Sequence, residues 1–474
     1  MKKNDLKKYL KKYFNYYSFR KKQEEIITNI LNKKNTLIFA PTSYGKSLCY
    51  QLPALLQDNL TIVISPLIAL MNDQVNSLKE KGIKAEYVNS TLSDKEQKNI
   101  ISKILKKEVK ILYLSPEKIF KSKLIEFLIS KNIKIDMFAI DEVHCMSDWG
   151  YDFRKDYMKV PTLIEKFPNS VIVGLTASAD YLTKNDLQKK LNINNKNTFN
   201  ISVDRPNIFY DIRIRNDETI KEDILKIIKN NYKDKSGIIY CLRKSDVEDI
   251  SKFLNINGIS NEYYHAGVKK DKKNQILKDF ISDKNKIIVA TVAFGMGINK
   301  SNIRFVIHRD LPKNIESFYQ ESGRAGRDGL KSESILFYND EDISLLSNFL
   351  KSSPNIRIDK KRFNEMIFLL KSKNCIRKVL LNYFNEIKEE NCNNCSNCSK
   401  GIIEDEINKE LFNSLKIFLK FNKNSKIEDI VKYIKNKYHN KYSDIKISLF
   451  IKNIEYKNYI KIDESEIVSF NNIK

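Results

Sequence analysis

The chain has 474 residues, room for two to four domains. Hydrophobic residues make up 42%, enough for real cores, which excludes wholesale disorder. Lysine and arginine outnumber aspartate and glutamate 84 to 59, and the resulting +25 points to a polyanionic partner. The lysines come with abundant Asn and Ile and little Gly, as AT-rich coding produces, so charge alone does not name that partner. No apolar run approaches the ~20 residues of a membrane span, so a soluble chain without a membrane partner is expected. The opening Met1–Phe14 is basic but lacks the apolar stretch of a signal peptide, and Asp5 in an Arg-poor segment argues against a transit peptide.

In chain order, Thr36–Ala40, Leu60–Ser65, Val109–Leu114, Met137–Ile140 and Val171–Leu175 read as short strands rich in Ile, Val or Leu. Gly237–Tyr240, Ile287–Ala290, Ile303–His308 and Ser334–Tyr338 repeat the pattern after a polar connection around residues 192–207. Helical stretches lie between them. In Ser245–Asn257, Val247, Ile250 and Leu254 share a face, Ser245 and Glu248 match a capping box, and Gly258 closes the end. Strands apolar on both sides, alternating with helices, predict an α/β class with parallel sheets covered on both faces. The series occurs twice, so two lobes follow: 1–205 and 206–340.

After about Asp340 the strand pattern stops. Ile343–Phe384 is mostly helical, and a cysteine cluster and an acidic joint at residues 404–406 follow. These define a helical subdomain, 341–400, and a last segment, 401–474. That segment shows three helical patterns, Leu411/Leu415/Phe418, Ile427/Ile430/Val431/Ile434 and Ile445/Leu449, and a hairpin of Tyr459–Ile462 against Ile467–Phe470. Three helices and a hairpin fit a compact winged-helix-like domain or a plain helical bundle.

The chemistry begins after the first strand. Ala40-Pro-Thr42-Ser-Tyr-Gly45-Lys46-Ser47 opens a helix, the place for a loop whose backbone N–H groups and helix N-terminus cradle phosphates. Lys46 would reach the β- and γ-phosphates and Ser47 would hold Mg²⁺; the first glycine of the general pattern is Ala40 here. Asp141-Glu142-Val143-His144 follows a later strand. Adjacent carboxylates there suit an ATPase, Asp141 on Mg²⁺ through water and Glu142 deprotonating the attacking water. Either element alone is common; both at strand ends in the expected order predict ATP hydrolysis.

The seven cysteines form no secreted disulfide framework. Cys392, Cys395 and Cys398 have the tight spacing of a thiolate metal site, with Cys375 available as a fourth ligand. Four thiolates suit tetrahedral Zn²⁺ or an Fe–S cluster. His265, His308 and His439 are better read as packing or motif residues.

With these motifs in place, the sequence from about Phe14 to Cys398 resembles the RecQ family of superfamily 2 DNA helicases. Phe19-Arg20 with Gln23 looks like its adenine-recognition motif, with Tyr16 where an aromatic stacks on the base. Ser65-Pro66-Leu67-Ile68-Ala69-Leu70-Met71, Asp73-Gln74-Val75 and Ser115-Pro116-Glu117 resemble DNA-contacting motifs. Gly174-Leu175-Thr176-Ala177-Ser178-Ala179 is similar to the motif that couples hydrolysis to movement. In the second half Tyr264-His265-Ala266-Gly267, the stretch from Ala290-Thr291 to Ile298, and Gln320 through Arg324 and Arg327 to Gly329 resemble further motifs. Most family-specific is the aromatic-rich stretch Cys145–Arg154, with Trp149, Phe153 and Arg154; Tyr151 stands where the family usually has a histidine.

The resemblance implies two tandem RecA-like lobes, Mg²⁺ and ATP as cofactors, and zinc in a structural site, since Cys375–Phe384 is very like the helix of the RecQ zinc-binding subdomain. It implies 3′→5′ movement on single-stranded DNA and unwinding of tailed or forked duplexes in repair and recombination. It also implies a cytoplasmic, nucleoid-associated place in a bacterium or a nuclear one in a eukaryote. Gln320, Arg324 and Arg327 would serve ATP hydrolysis from the second lobe, so the lobes must close for turnover. Residues 401–474 leave room for the winged helix but not for the separate helical domain that family members often add. The main rival is a DNA- or RNA-dependent ATPase that translocates or remodels without processive unwinding.

Overall fold

The computed structural model describes residues 3–66, 68–89, 92–121, 124–148, 154–177, 179–295, 300–351, 356–401, 407–463 and 465–471. Trp149, Tyr151 and Phe153, Leu67, Ser178, residues 296–298 and the acidic joint 404–406 lie outside the described residues. The chain forms two compact units, Met1–Val203 and a second that spans Asp204–Phe294 and Lys300–Lys474.

Among the described residues the first unit carries seven strands: β1 Thr36–Phe39, β2 Leu60–Ile64, β3 Ala85–Val88, β4 Ile111–Leu114, β5 Ile135–Ile140, β6 Val171–Thr176 and β7 Thr198–Asn200. They pair in parallel in the order β3-β4-β2-β5-β6-β1-β7. Successive residues of one strand serve opposite cores. Leu37 and Phe39 pack with Ile62 and Ile64, whereas Ile38 and Ala40 pack with Val63 on the other face. Both faces are therefore buried, as the apolar runs predict.

The second unit repeats the plan with β8 Ile208–Ile214, β9 Ser236–Tyr240, β10 Glu262–Tyr264, β11 Ile287–Ala290, β12 Ile303–His308 and β13 Ser332–Tyr338. These pair in parallel in the order β10-β11-β9-β12-β13-β8. Helices Asp340–Lys351, Ile356–Lys371 and Ile376–Tyr383 follow.

The C-terminal segment runs helix Lys409–Phe421, β14 Ser425–Lys426, helices Ile427–Lys437 and Asp444–Tyr456, then β15 Ile460–Ile462 and β16 Ile467–Phe470. Its antiparallel sheet, ordered β14-β16-β15, makes it a small winged-helix-like fold with its own core of Leu411, Leu415, Ile430, Ile434 and Ile454.

Two local expectations are corrected. Helix Lys244–Ile256 has Arg243 at its N-cap with no side-chain cap, so Ser245 and Glu248 form no capping box; Glu248 Oε1 instead meets His265 Nε2 at 2.9 Å. In helix Asp444–Tyr456 the buried face is Ile447, Phe450, Ile451 and Ile454, and Ile445 is exposed. This helix packs on Ile356–Lys371, which turns its inward stripe: Lys452 is half-buried and pairs with Glu365 and Glu455. Those two carboxylates outweigh the burial that works against its charge and hold the amine above its usual range.

Candidate active site

Strand order brings the carboxyl ends of β1, β5 and β6 side by side, the usual location of a ligand crevice in a parallel α/β sheet. The loop after β1 turns through a short 3₁₀ segment, Thr42–Tyr44, and Gly45 at φ +83° before helix Lys46–Leu56. That left-handed conformation suits glycine, and a side chain there would also press on Gln23 Nε2 at 3.3 Å. Thr42 and Gly45 are exposed, Ser47 half-buried. Lys46 is buried, and its Nζ donates to the Ala40 carbonyl at 3.0 Å.

Arg20 and Gln23 brace this loop from below. Gln23 Nε2 donates to the Tyr44 carbonyl at 3.0 Å, and the Arg20 guanidinium donates to the Ser43 carbonyl. The Arg20 backbone N–H closes on Gln23 Oε1 at 2.8 Å. Tyr16, by contrast, is 58% exposed, a ring face open to a stacking partner.

Asp141 lies one residue beyond β5, its N–H on the Ile64 carbonyl at 2.8 Å. Glu142 takes a left-handed backbone, φ 49° and ψ 46°, rare for a residue with a side chain. His144 faces both neighbours: Nδ1 is 2.7 Å from Thr176 Oγ1 at the end of β6 and 3.3 Å from Glu142 Oε2. The Thr176 contact is the hydrogen bond, and Glu142 Oε2 is buried with no hydrogen-bond partner among the described residues.

The two carboxyls are pushed apart. Burial and the adjacent Glu142 raise Asp141 to about 7. Burial works against the Glu142 charge too, but His144, Lys46 and Arg154 hold it below the usual range. His144 itself is raised to about 10, with Cys145 and Glu142 outweighing burial. Near neutrality this leaves an ionised, half-satisfied Glu142 beside a carboxyl that a cation would ionise.

The segment that ends at Arg154 is tied into the same edge. Arg154 Nη1 donates to the Pro66 carbonyl at 3.2 Å, and Tyr157 OH donates to the Asp141 carbonyl at 2.9 Å. Upstream, Ser147 Oγ donates to Asp186 at 2.6 Å and Lys190 Nζ pairs with Asp148 at 2.8 Å. Both ends of the aromatic stretch are thus anchored, although Trp149 and Phe153 lie outside the described residues.

In the second unit Gln320 is half-buried on helix Ile315–Ser322, and Arg324 and Arg327 lie on the loop beyond it. Burial, with Arg324 and Arg205 nearby, holds the Arg327 guanidinium below its usual value, a cost that an anion would relieve. Cys375, Cys392, Cys395 and Cys398 bring their sulfurs within 4.8 Å of one another. Cys392–Cys398 and Cys395–Cys398 are 3.7 and 3.4 Å apart. One tetrahedral ion with ~2.3 Å bonds to sulfur sets thiolates about 3.8 Å apart, so the donor set fits a single metal better than a wider multi-iron cluster.

Three family models match the chain: DEAD/DEAH box helicase at residues 20–186, helicase conserved C-terminal domain at 219–329, and RecQ zinc-binding at 340–399. A curated ATP-dependent DNA helicase RecQ of Haemophilus influenzae is 44% identical over 389 residues, 81% of this chain and 62% of that one. A protein of Acanthamoeba polyphaga mimivirus, named as an ATP-dependent RNA helicase, is 40% identical over 390 residues, 82% of this chain and 70% of that one. The chain belongs to the RecQ family of superfamily 2 helicases. It spans about three-fifths of the length of the first curated RecQ relatives it matches, 62% and 60%. The fold likeness extends to the helicase MrfA bound to DNA and AMPPNP, at TM-score 0.59 and 17% identity over 99% of this chain and 62% of that one.

Within this RecQ chain the motifs name the candidate residues but not their partners. His144 carries no role in the sequence pattern, and its signal is a position two residues after the carboxylate pair. Arg205 and Asn207 lie in what reads as a polar connection. Arg377 lies in the helix that resembles the RecQ zinc-binding subdomain, with nothing in the pattern to mark it.

Proposed function

We propose that this RecQ-family chain is an ATP-dependent DNA helicase that moves 3′→5′ on single-stranded DNA and opens tailed or forked duplexes, in DNA repair and recombination. One observation carries it above all: Glu142 set against the His144–Thr176 pair, beside Asp141 and the Lys46 loop at the carboxyl ends of neighbouring strands. Tyr16, Arg20 and Gln23 take the adenine, and Thr42, Gly45 and Lys46 the phosphates. Mg²⁺, when bound, neutralises phosphate charge, and Ser47 and Asp141 are its protein holders. Glu142 accepts the proton of the attacking water. Gln320, Arg324 and Arg327 add positive charge against the transferring phosphoryl group. Trp149, Phe153 and Arg154 meet the DNA strand. Zinc, held by Cys375, Cys392, Cys395 and Cys398, is structural, since four thiolates leave no open position. The compartment is that of the genome, a bacterial nucleoid or a nucleus. The division into lobes 1–205 and 206–340, a zinc subdomain 341–400 and a winged-helix-like domain 401–474 belongs to the same proposal.

A second reading, an RNA- or DNA-dependent ATPase that remodels without processive unwinding, is favoured by the RNA helicase name of the mimivirus relative. ATPase and strand-displacement assays run together on single-stranded DNA, single-stranded RNA and tailed duplexes separate the two. Stimulation by DNA with displacement supports the helicase; stimulation without displacement, or by RNA alone, supports the other. Single-strand affinity should also fall steeply with salt as phosphate contacts release counterions. A flat response would mean that the +25 charge is compositional.

A further inference from the structure

The segment Asp204-Arg205-Pro206-Asn207 is held from two sides within the second unit. Arg205 is buried, and its guanidinium donates to the carbonyls of Gly323, Ala325 and Gly326 at 2.9, 2.8 and 2.9 Å. Asn207 Nδ2 donates to the carbonyls of Gly326 and Leu330, both at 2.9 Å. Gly326 has φ +57°, and a Cβ there would lie 2.4 Å from Asn207 Nδ2, so the bracket and the loop fit without room for a side chain. The carbonyls so gripped belong to the loop that carries Arg324 and Arg327.

From the other side comes the cysteine subdomain. Arg377, two residues past Cys375, is 3% exposed and donates to Asp204 Oδ1 at 2.7 Å and to the carbonyls of Arg205 and Ile208 at 2.6 and 2.5 Å. Its guanidinium lies over the Tyr210 ring, 5.2 Å from the centroid. Asn394, between Cys392 and Cys395, donates to the Pro206 carbonyl at 2.9 Å. Cys395 itself bridges Tyr210 on β8.

We propose that Arg205, with Asn207, is a positioning residue for Arg324 and Arg327, and that through Arg377 and Asn394 it makes their placement depend on the assembled cysteine site. This rests on the reading that those two arginines serve ATP hydrolysis. A guanidinium satisfies three converging carbonyls at once because it is a planar fork with five donors; an ammonium on a flexible stem does not reproduce that grip. Displacing a charge-stabilising group by about 1 Å costs on the order of 10²-fold in rate while ground-state binding is spared.

The test uses the full chain with its metal, and the variants Arg205→Gln, Arg205→Lys, Asn207→Ser and, as comparator, Arg327→Ala. DNA-stimulated kcat, KM for ATP, single-strand affinity and metal content are measured for each. Arg205→Gln should lower kcat about 10- to 100-fold, with KM and DNA affinity within about twofold and the metal retained. Arg205→Lys should fall between it and the parent. If Arg205→Gln loses its metal or does not fold, Asn207→Ser decides, because it removes two hydrogen bonds and should cost about threefold to tenfold in kcat alone. Parental kcat in Asn207→Ser, or in a folded Arg205→Gln, beside an inactive Arg327→Ala overturns the bracket and leaves the arginine reading intact. Parental turnover in Arg327→Ala overturns the arginine reading, and the bracket with it.

Discussion

The two parallel-sheet lobes fix their candidate site residues by different means. In the first, Asp141 and Thr176 stand at or just beyond the ends of neighbouring strands, and Lys46, at the start of the helix after β1, reaches back to the Ala40 carbonyl at the end of that strand, so the β1–β6 and β5–β6 registers set the frame that spaces them. Hydrophobic burial on both sheet faces does that work, and it is spread over many residues. In the second, Arg324 and Arg327 sit on a loop after a short helix, held by side-chain donors from a distant segment. The first set therefore depends on a core, and the second on a handful of polar interactions, each removable singly.

The largest effect should come from the first lobe. Glu142→Gln keeps the shape but cannot accept a proton, so turnover should fall about 10²- to 10⁴-fold while ATP still binds. Steady-state ATPase assays beside equilibrium nucleotide binding check this, and parental turnover would remove Glu142 from the base role.

Next is the cysteine site. Cys395→Ser should lose its metal by elemental analysis and melt at lower temperature, since thiolate–metal bonds hold a small subdomain. The two lobes should then part company: nucleotide binding, a first-lobe property, survives in whatever folds, whereas DNA-stimulated turnover does not. A soluble, fully active variant with no metal would erase the contrast.

His144→Gln should cost about tenfold in kcat, because the Glu142 carboxylate then has no charged imidazole beside it. The imidazole helps hold the Glu142 carboxyl below its usual range, so its removal lets that pKa rise. The base is then protonated at higher pH, and the acid limb of the pH–rate profile should move upward. An unmoved limb would mean that His144 acts through Thr176 alone.

The smallest effect is a pH drift of the nucleotide-free chain. Burial and Glu142 raise Asp141 to about 7, so between pH about 4 and 7 the folded state keeps a proton that the unfolded chain has lost. Stability from this group therefore falls as pH rises through that window. Mg·ATP binding, which needs the carboxylate, should tighten over the same range, with about one proton released per nucleotide well below pH 7. Calorimetry in buffers of different ionisation heat measures it, and Asp141→Asn should lack it.

The residues by themselves determined the motifs that are local in the chain: the loop ending in Gly45-Lys46-Ser47, the Asp141-Glu142 pair at a strand end, and three cysteines at tight spacing. They also determined the nine interior strands, because a strand buried on both faces must be a continuous apolar run. Within the two parallel sheets, the four strands that the runs do not mark, β3, β7, β8 and β10, are the edges. An edge tolerates polar residues such as Glu86, Asp211 and Glu262, and its signal dissolves into its surroundings. Tertiary structure alone decided what lies across the chain: His144 against Thr176, Arg205 beneath the loop of Arg324, Arg377 on Asp204, and the turned stripe of helix Asp444–Tyr456. The physical reason is the range of the forces: periodicity and spacing record neighbours within a few residues, whereas a guanidinium buried among carbonyls more than a hundred positions away leaves no pattern until the chain has folded around it.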